Sequence, residues 1–171
     1  MIVLIAGLPG TGKSTLAGAL ASRLNGTVLS KDEIRHAIFS PAEVEYSTVQ
    51  DDFVMQIMLE AAAWILRKDP KRTVFLDGRT FSRRYQIDRV IAAAEDLKQP
   101  WRILECVCAE ETAGTRIEAQ TVLGEHPAAN RNFDLYLEVK AHFEEIVLLK
   151  TVIDTDQLLE ESVGDALQAL L

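Results

Sequence analysis

Short apolar runs and longer amphipathic stretches alternate along the whole chain. Ile2–Ala6 is a continuous apolar run of strand length, the pattern of a strand buried on both faces of a sheet. Similar runs at 27–29, 73–76, 102–107 and 151–153 predict four further strands. Helical periodicities lie between them, the first over 15–24. Ser30 with Glu33, and Ser47 with Gln50, have the form of capping boxes, so each serine should open a helix. The second of these helices carries Phe53, Ile57, Ala61, Trp64 and Ile65 on one stripe, which is expected to face the core. Ile87, Val90, Ile91 and Ala94 form another stripe, and Leu135, Val139, Phe143, Ile146 and Val147 a third. Asp156 is placed to cap a terminal helix bearing Leu159, Val163, Leu167 and Leu170.

Strand and helix alternate without internal repeats or linkers. That pattern predicts an α/β fold, a parallel sheet with crossover helices. At 171 residues the chain is read as a single domain over 1–171. The segment at about 111–132 breaks the pattern with Gly114, Gly124, Pro127 and a polar run at 128–131. It is expected to be a helical lid.

Composition narrows the class. Hydrophobic residues make up 48% and charged residues 26%, as in ordinary globular proteins. No stretch approaches the roughly 20 apolar residues needed to span a bilayer. The N-terminus lacks a basic segment and reads as a strand, not as a signal peptide. A net charge of −8 argues against nucleic acid or an anionic membrane as a partner. Cys106 and Cys108, the only cysteines, fall on one face of a strand and read as buried thiols in a reducing cytoplasm. His36, His126 and His142 have no metal-ligand spacing and receive no chemical role.

Candidate chemistry begins directly after the first strand. Gly7-Leu8-Pro9-Gly10-Thr11-Gly12-Lys13-Ser14 matches the P-loop pattern G-x-x-x-x-G-K-[ST], and it stands between a strand and a helix as that mechanism requires. Its glycines let the backbone aim N–H groups inward, and the helix N-terminus adds partial positive charge. Lys13 is expected at the β- and γ-phosphates of ATP and Ser14 on Mg²⁺. Thr15 completes the nucleotide-binding set.

Apolar residues 74–76 end in Asp77, the form of a Walker B carboxylate that holds Mg²⁺ directly or through water. Asp32 follows the second strand on the same carboxyl rim, where ligands bind in parallel sheets. There it can act as a general base towards an incoming hydroxyl, or simply serve as a helix cap. Arg35 shares its helix face and can hold an anionic acceptor or the transferring group. Arg79 and Arg83 follow Asp77 and are candidate acceptor contacts, whereas Arg84 suits an i, i+4 pair with Asp88. Arg116 and Arg131 in the lid are candidate arginine fingers.

These motifs resemble those of the small P-loop kinases. The likeness runs from Ile2 to about Asp156, through residues 7–14, 30–35 and 74–77 and the arginine-bearing lid. The group includes the kinase domain of phage polynucleotide kinase and AAA-type P-loop kinase domains, with chloramphenicol phosphotransferase, gluconate kinase and zeta toxin further off. The resemblance implies a five-stranded parallel sheet with the Walker B strand beside the P-loop strand. It implies Asp32 as the base, Arg35 as an acceptor-side or transition-state arginine, and lid arginines at Arg116 and Arg131. Residues 153–155 resemble the stretch near the adenine.

Two departures stand out. Gln120 occupies the place of a second lid arginine, and Asp77-Gly78-Arg79-Thr80 replaces a shorter Asp-x-Thr. Residues 29–36 also faintly resemble adenylylsulfate kinase, without its sulfate-pocket and lid sequences. The sequence thus points to an ATP- and Mg²⁺-dependent kinase acting on a hydroxyl of a small anionic molecule. The alternatives are a polynucleotide 5′-hydroxyl kinase and a non-catalytic ATP-binding regulatory module.

Overall fold

The computed structural model describes residues 1–123 and 132–171, with 121–123 described by backbone alone. Five strands form one sheet: β1 (Ile2–Ala6), β2 (Thr27–Ser30), β3 (Val74–Asp77), β4 (Trp101–Val107) and β5 (Thr151–Asp154). Their order is β2-β3-β1-β4-β5 and all pairings are parallel. The helices are α1 (Lys13–Leu24), α2 (Lys31–Ile38), α3 (Thr48–Lys68), α4 (Arg84–Asp96), α5 (Glu110–Leu123), α6 (Phe133–Ala141) and α7 (Leu159–Leu170). Every strand expected from the apolar runs is present. β2 and β3 each run to a polar residue because Ser30 and Asp77 pair in register.

β1 is central and fully buried. Its pleat divides the core. Ile2, Leu4 and Ala6 pack with Val54 and Met58 of α3 and Val90 of α4 on one face. Val3 and Ile5 pack with Leu16 and Leu20 of α1 and Val163 and Ala166 of α7 on the other. Each such aliphatic side chain contributes about 1.5–3 kcal/mol of burial, so the continuous apolar run fixes the strand between the two layers. β1 and β3 are neighbours, yet the chain leaves β1 for β2 on the far side of β3. Ligands of parallel sheets bind above the strand ends at such points of divergence.

Three expectations need correction. In α3, Phe53 and Trp64 are 55% and 64% exposed, and the buried stripe is Val54, Met55, Met58, Leu59, Ala62 and Leu66. This helix is apolar over much of its circumference, so periodicity alone leaves its rotation open. The observed rotation also brings Asp51, on the same side as Val54, Met55 and Met58, to ion pairs with Lys31 and Arg35 of α2.

The stripe from Leu135 to Val147 does not form one helix. α6 ends at Ala141, and the chain turns to donate Glu144 N–H to Ser82 C=O at 2.9 Å. Val147 is 74% exposed, and Tyr136 is the buried residue of α6. Finally, Asp156 caps a different helix. Its Oδ2 accepts from Ala109 N–H at 2.7 Å, at the start of α5, and this backbone bond holds its carboxyl below the usual range. Among the described residues, no helix is long and apolar enough to cross a membrane.

Candidate active site

The residues between β1 and α1 form the candidate anion cradle. Gly12 is the N-cap of α1 with φ 73°, a left-handed conformation that glycine adopts without the strain of a side chain. No side chain caps α1 and its first turn carries no acid, so its leading N–H groups are left to a ligand. Lys13 is buried and its Nζ donates to Leu8 C=O at 2.5 Å. Ser14 and Thr15 are exposed in the same first turn. Gly7 N–H donates to Thr80 C=O at 3.2 Å, which ties the cradle to the segment after β3.

β3 delivers Asp77 to this rim. Gly78 follows with φ 87°, and a Cβ there would lie 3.0 Å from both Cβ and N of Lys31. The turn after β3 is thus pressed against the first turn of α2 at Gly78. Asp77 is buried, and its Oδ1 has no hydrogen-bond partner among the described residues. A buried carboxylate oxygen without a donor fits a cation. No group of three or more His, Cys, Asp or Glu among the described residues could hold a metal. A divalent ion beside Asp77 and Ser14 would therefore take its remaining ligands from phosphates and water, as Mg²⁺ does.

α2 brings Lys31, Asp32 and Arg35 to the cleft, all buried. The N-cap role belongs to Ser30, whose Oγ accepts from Glu33 N–H at 3.4 Å. The Asp32 carboxylate instead accepts from Arg35 Nη1 at 3.0 Å, with Lys31 Nζ at 3.7 Å. Asp51, in the first turn of α3, receives Lys31 Nζ at 2.8 Å and also pairs with Arg35 Nη2. The Tyr46 ring lies 5.3 Å from the Arg35 guanidinium carbon. Asp52, the next residue, pairs with the buried Arg79 at 2.7 Å, and Tyr85 hydroxyl joins them. Asp51, Asp52 and Tyr46 were not singled out in the sequence. No spacing relates them to Asp32 or Arg79, and only the packing of α3 on α2 and α4 brings them in.

The other arginines separate. Arg116 reaches from α5 to the cradle, where its Nη1 and Nη2 donate to Thr155 Oγ1 at 3.1 Å and Thr155 C=O at 2.6 Å. Arg83 does not line the cleft. It pairs with Glu144 at 3.0 Å on the surface, the same carboxylate that receives Arg84 N–H. Arg84 makes the expected i, i+4 pair with Asp88 at 2.7 Å. Arg131 and His126 lie outside the described residues. α5 and α6 share a small core of Ala113, Ile117 and Tyr136, with Leu8 and Cys108 packed against it. That cluster stands apart from the two sheet cores and lies directly over the cradle. Burial pushes the Cys106 thiol up to about 12, and Lys13 and Asp77 are both near enough to act on it.

Together these elements surround a cleft of about 590 Å³, within the range of small-molecule sites. Among its lining residues, Gly12, Arg116 and Thr155 lie against one another, and Asp32, Arg35, Asp51 and Tyr46 form a second contacting group.

Several solved structures share this architecture. A candidate kinase from Chloroflexus aurantiacus is 22% identical, with a TM-score of 0.78 over 99% of this chain and 98% of that one. A gluconokinase from Sinorhizobium meliloti is 17% identical, with a TM-score of 0.72 over 98% and 90%. An APS kinase from Mycobacterium tuberculosis, solved with AMPPNP and APS, is 16% identical, with a TM-score of 0.72 over 99% and 96%. No curated protein matches the sequence. These likenesses show a P-loop NTPase fold, the fold of the small P-loop kinases. Residues 2–145 match the AAA domain family, and the chain belongs to that family.

Proposed function

We propose that the protein is an ATP-dependent kinase that moves the γ-phosphoryl group to a hydroxyl of a small molecule bearing one anionic group. The observation that carries this reading is one cleft lined both by an anion cradle and by a carboxylate, Asp32, that Arg35 and Lys31 hold in place. A protein that only held a nucleotide would have no need of that carboxylate.

The cradle N–H groups and Lys13 bind and neutralise the β- and γ-phosphates. Ser14 and Asp77 would hold Mg²⁺, which supplies charge neutralisation for the transferring group. Asp32 accepts the proton of the acceptor hydroxyl as its oxygen bonds to the γ-phosphorus and the bond to ADP breaks. Arg35 orients Asp32, and Arg116 lies at the lip of the cradle on the nucleotide side. Chemistry here is mostly positioning and electrostatics, as phosphoryl transfer demands.

Charge at the acceptor end supports a small acceptor. Lys31, Arg35 and Arg79 are each matched by a carboxylate, Asp32, Asp51 or Asp52. Such a balanced site gives no positive track for a strand of nucleic acid. Arg35 and Arg79 each keep a buried Nε–H with no hydrogen-bond partner among the described residues, which suits one carboxylate or phosphate. The neighbours named as a gluconokinase and an APS kinase are consistent with small acceptors. The test is γ-labelled ATP offered with a panel of small hydroxyl compounds and with a 5′-hydroxyl oligonucleotide at physiological salt. Label is expected in a small molecule. Efficient labelling of the oligonucleotide, with a steep salt dependence, would replace this reading with a polynucleotide kinase.

A further inference from the structure

Thr155 sits just past β5, buried, at the meeting point of three segments that are distant in sequence. Its N–H donates to Val107 C=O at 2.9 Å, which fixes its backbone to the end of β4. Its hydroxyl has Thr11 C=O, in the cradle, at 3.2 Å and Val107 C=O at 3.1 Å. The same oxygen accepts from Arg116 Nη1 at 3.1 Å, while Thr155 C=O accepts from Arg116 Nη2 at 2.6 Å. A hydroxyl has one proton to give and lone pairs to receive, so donating to a carbonyl leaves it oriented as an acceptor for the guanidinium. The two-point grip sets the plane of the guanidinium. The remaining contact of Arg116 with the cradle, Nη1 to Gly10 C=O, is long at 3.5 Å. A Cβ at Gly12 would lie 3.6 Å from Thr155 Oγ1 and 3.7 Å from Arg116 Nη1, so both groups stand at the mouth of the cradle.

We propose that Thr155 is a positioning residue that sets the Arg116 guanidinium beside the phosphate cradle and so links the helix α5 to the P-loop. The proposal rests on the reading of Arg116 as a nucleotide-side arginine. Two features support a positioning role over simple packing. Thr155 Oγ1 touches a cradle carbonyl and the arginine at once, and Asp156, the next residue, pins the start of α5 through Ala109 N–H at 2.7 Å. The β5–α7 connection thus holds α5 at Ala109, the residue just before it, and at Arg116, two turns further on. Removing the hydroxyl leaves Arg116, among the described residues, with one carbonyl, the long Gly10 contact and the nearby charge of Asp156, so the plane of its guanidinium is no longer set.

A double-mutant cycle on the full chain tests this, with binding of a fluorescent ATP analogue in the presence of Mg²⁺ as the readout. Arg116→Ala and Thr155→Val should each weaken binding roughly tenfold, the order of one charge-assisted hydrogen bond. Thr155→Ser keeps the hydroxyl and should bind like wild type. The double variant should bind like Arg116→Ala alone, because Thr155 acts through the arginine. Thermal unfolding of each variant checks the fold, and Thr155→Ala replaces the valine should that one not fold. If Arg116→Ala binds normally, the underlying reading of the arginine fails and the proposal falls with it. If Arg116→Ala is weakened but Thr155→Val is not, or if the Thr155→Val loss persists without Arg116, the positioning role alone is overturned.

Discussion

Asp32→Asn separates a base from a structural acid. The carboxylate stands in a network of two cations, Lys31 and Arg35, and two carboxylates, Asp32 and Asp51. Asparagine keeps the shape, and its Oδ1 can still accept from Arg35 Nη1, now 3.0 Å away. The network, however, goes from neutral to a single positive charge. Asp51 continues to hold both cations, so the loss is one charge-assisted bond reduced to an ordinary one in a mostly buried setting. That costs about 1–3 kcal/mol of stability. Domains are stable by roughly 5–15 kcal/mol, so the variant should stay folded at 25 °C. The amide cannot take a proton, and transfer should slow by about 10²–10⁴-fold, equivalent to about 3–5 kcal/mol of barrier. ATP affinity should hold, because the cradle is built from separate residues. Urea unfolding, nucleotide titration and labelled-phosphate transfer read the three quantities on one preparation. A modest loss of stability with transfer within a few-fold of wild type would refute the base and leave Asp32 as part of an ion-pair scaffold.

Other substitutions probe the rim. Asp77→Asn should raise the Mg²⁺ concentration needed for half-maximal activity while leaving the fold intact, and superimposable metal titrations would make Asp77 structural. Gly78→Ala should cost roughly 1–3 kcal/mol in urea unfolding, since φ is 87° and the new Cβ would press on Lys31. Transfer should fall with it, because Lys31 carries Asp32; an unchanged midpoint would contradict that packing. Burial pushes the Cys106 thiol up to about 12 from an ordinary 9.0, so between those values the folded chain keeps a proton that the unfolded chain has lost. Its contribution is whole below pH 9.0 and is lost as pH rises towards 12. Cys106→Ala should therefore show a shallower alkaline loss of stability than wild type, and parallel curves would be the contrary result.

The parts of the site legible in the sequence are those whose chemistry lies in one short segment. The cradle is contiguous, Asp77 ends an apolar strand, and Asp32 and Arg35 are one helical turn apart. Parallel pairing then places all of them on one rim without further information. What sequence reading missed depends on contacts between segments. Asp51 meets Arg35 across 16 residues and Thr155 meets Thr11 across 144, with no local pattern to announce either. The rotation of α3 is hidden for the same reason: two apolar faces compete, and only the contacts with α2 and the sheet show which one is buried. Arg83 was misassigned because nearness to Asp77 in sequence does not imply nearness in space. Glu144 draws it to the surface instead.

The central claim is that this chain transfers a phosphoryl group through its cradle to an acceptor. The most direct measurement is a mass balance with γ-labelled ATP, wild type beside Lys13→Ala, in the presence of the small-hydroxyl panel. ADP and labelled small molecule are expected one for one with wild type, and neither with the variant, which lacks the charge expected to neutralise the β- and γ-phosphates. Wild type that binds ATP but forms no labelled product with any acceptor, or a Lys13→Ala protein that turns over normally, would contradict it.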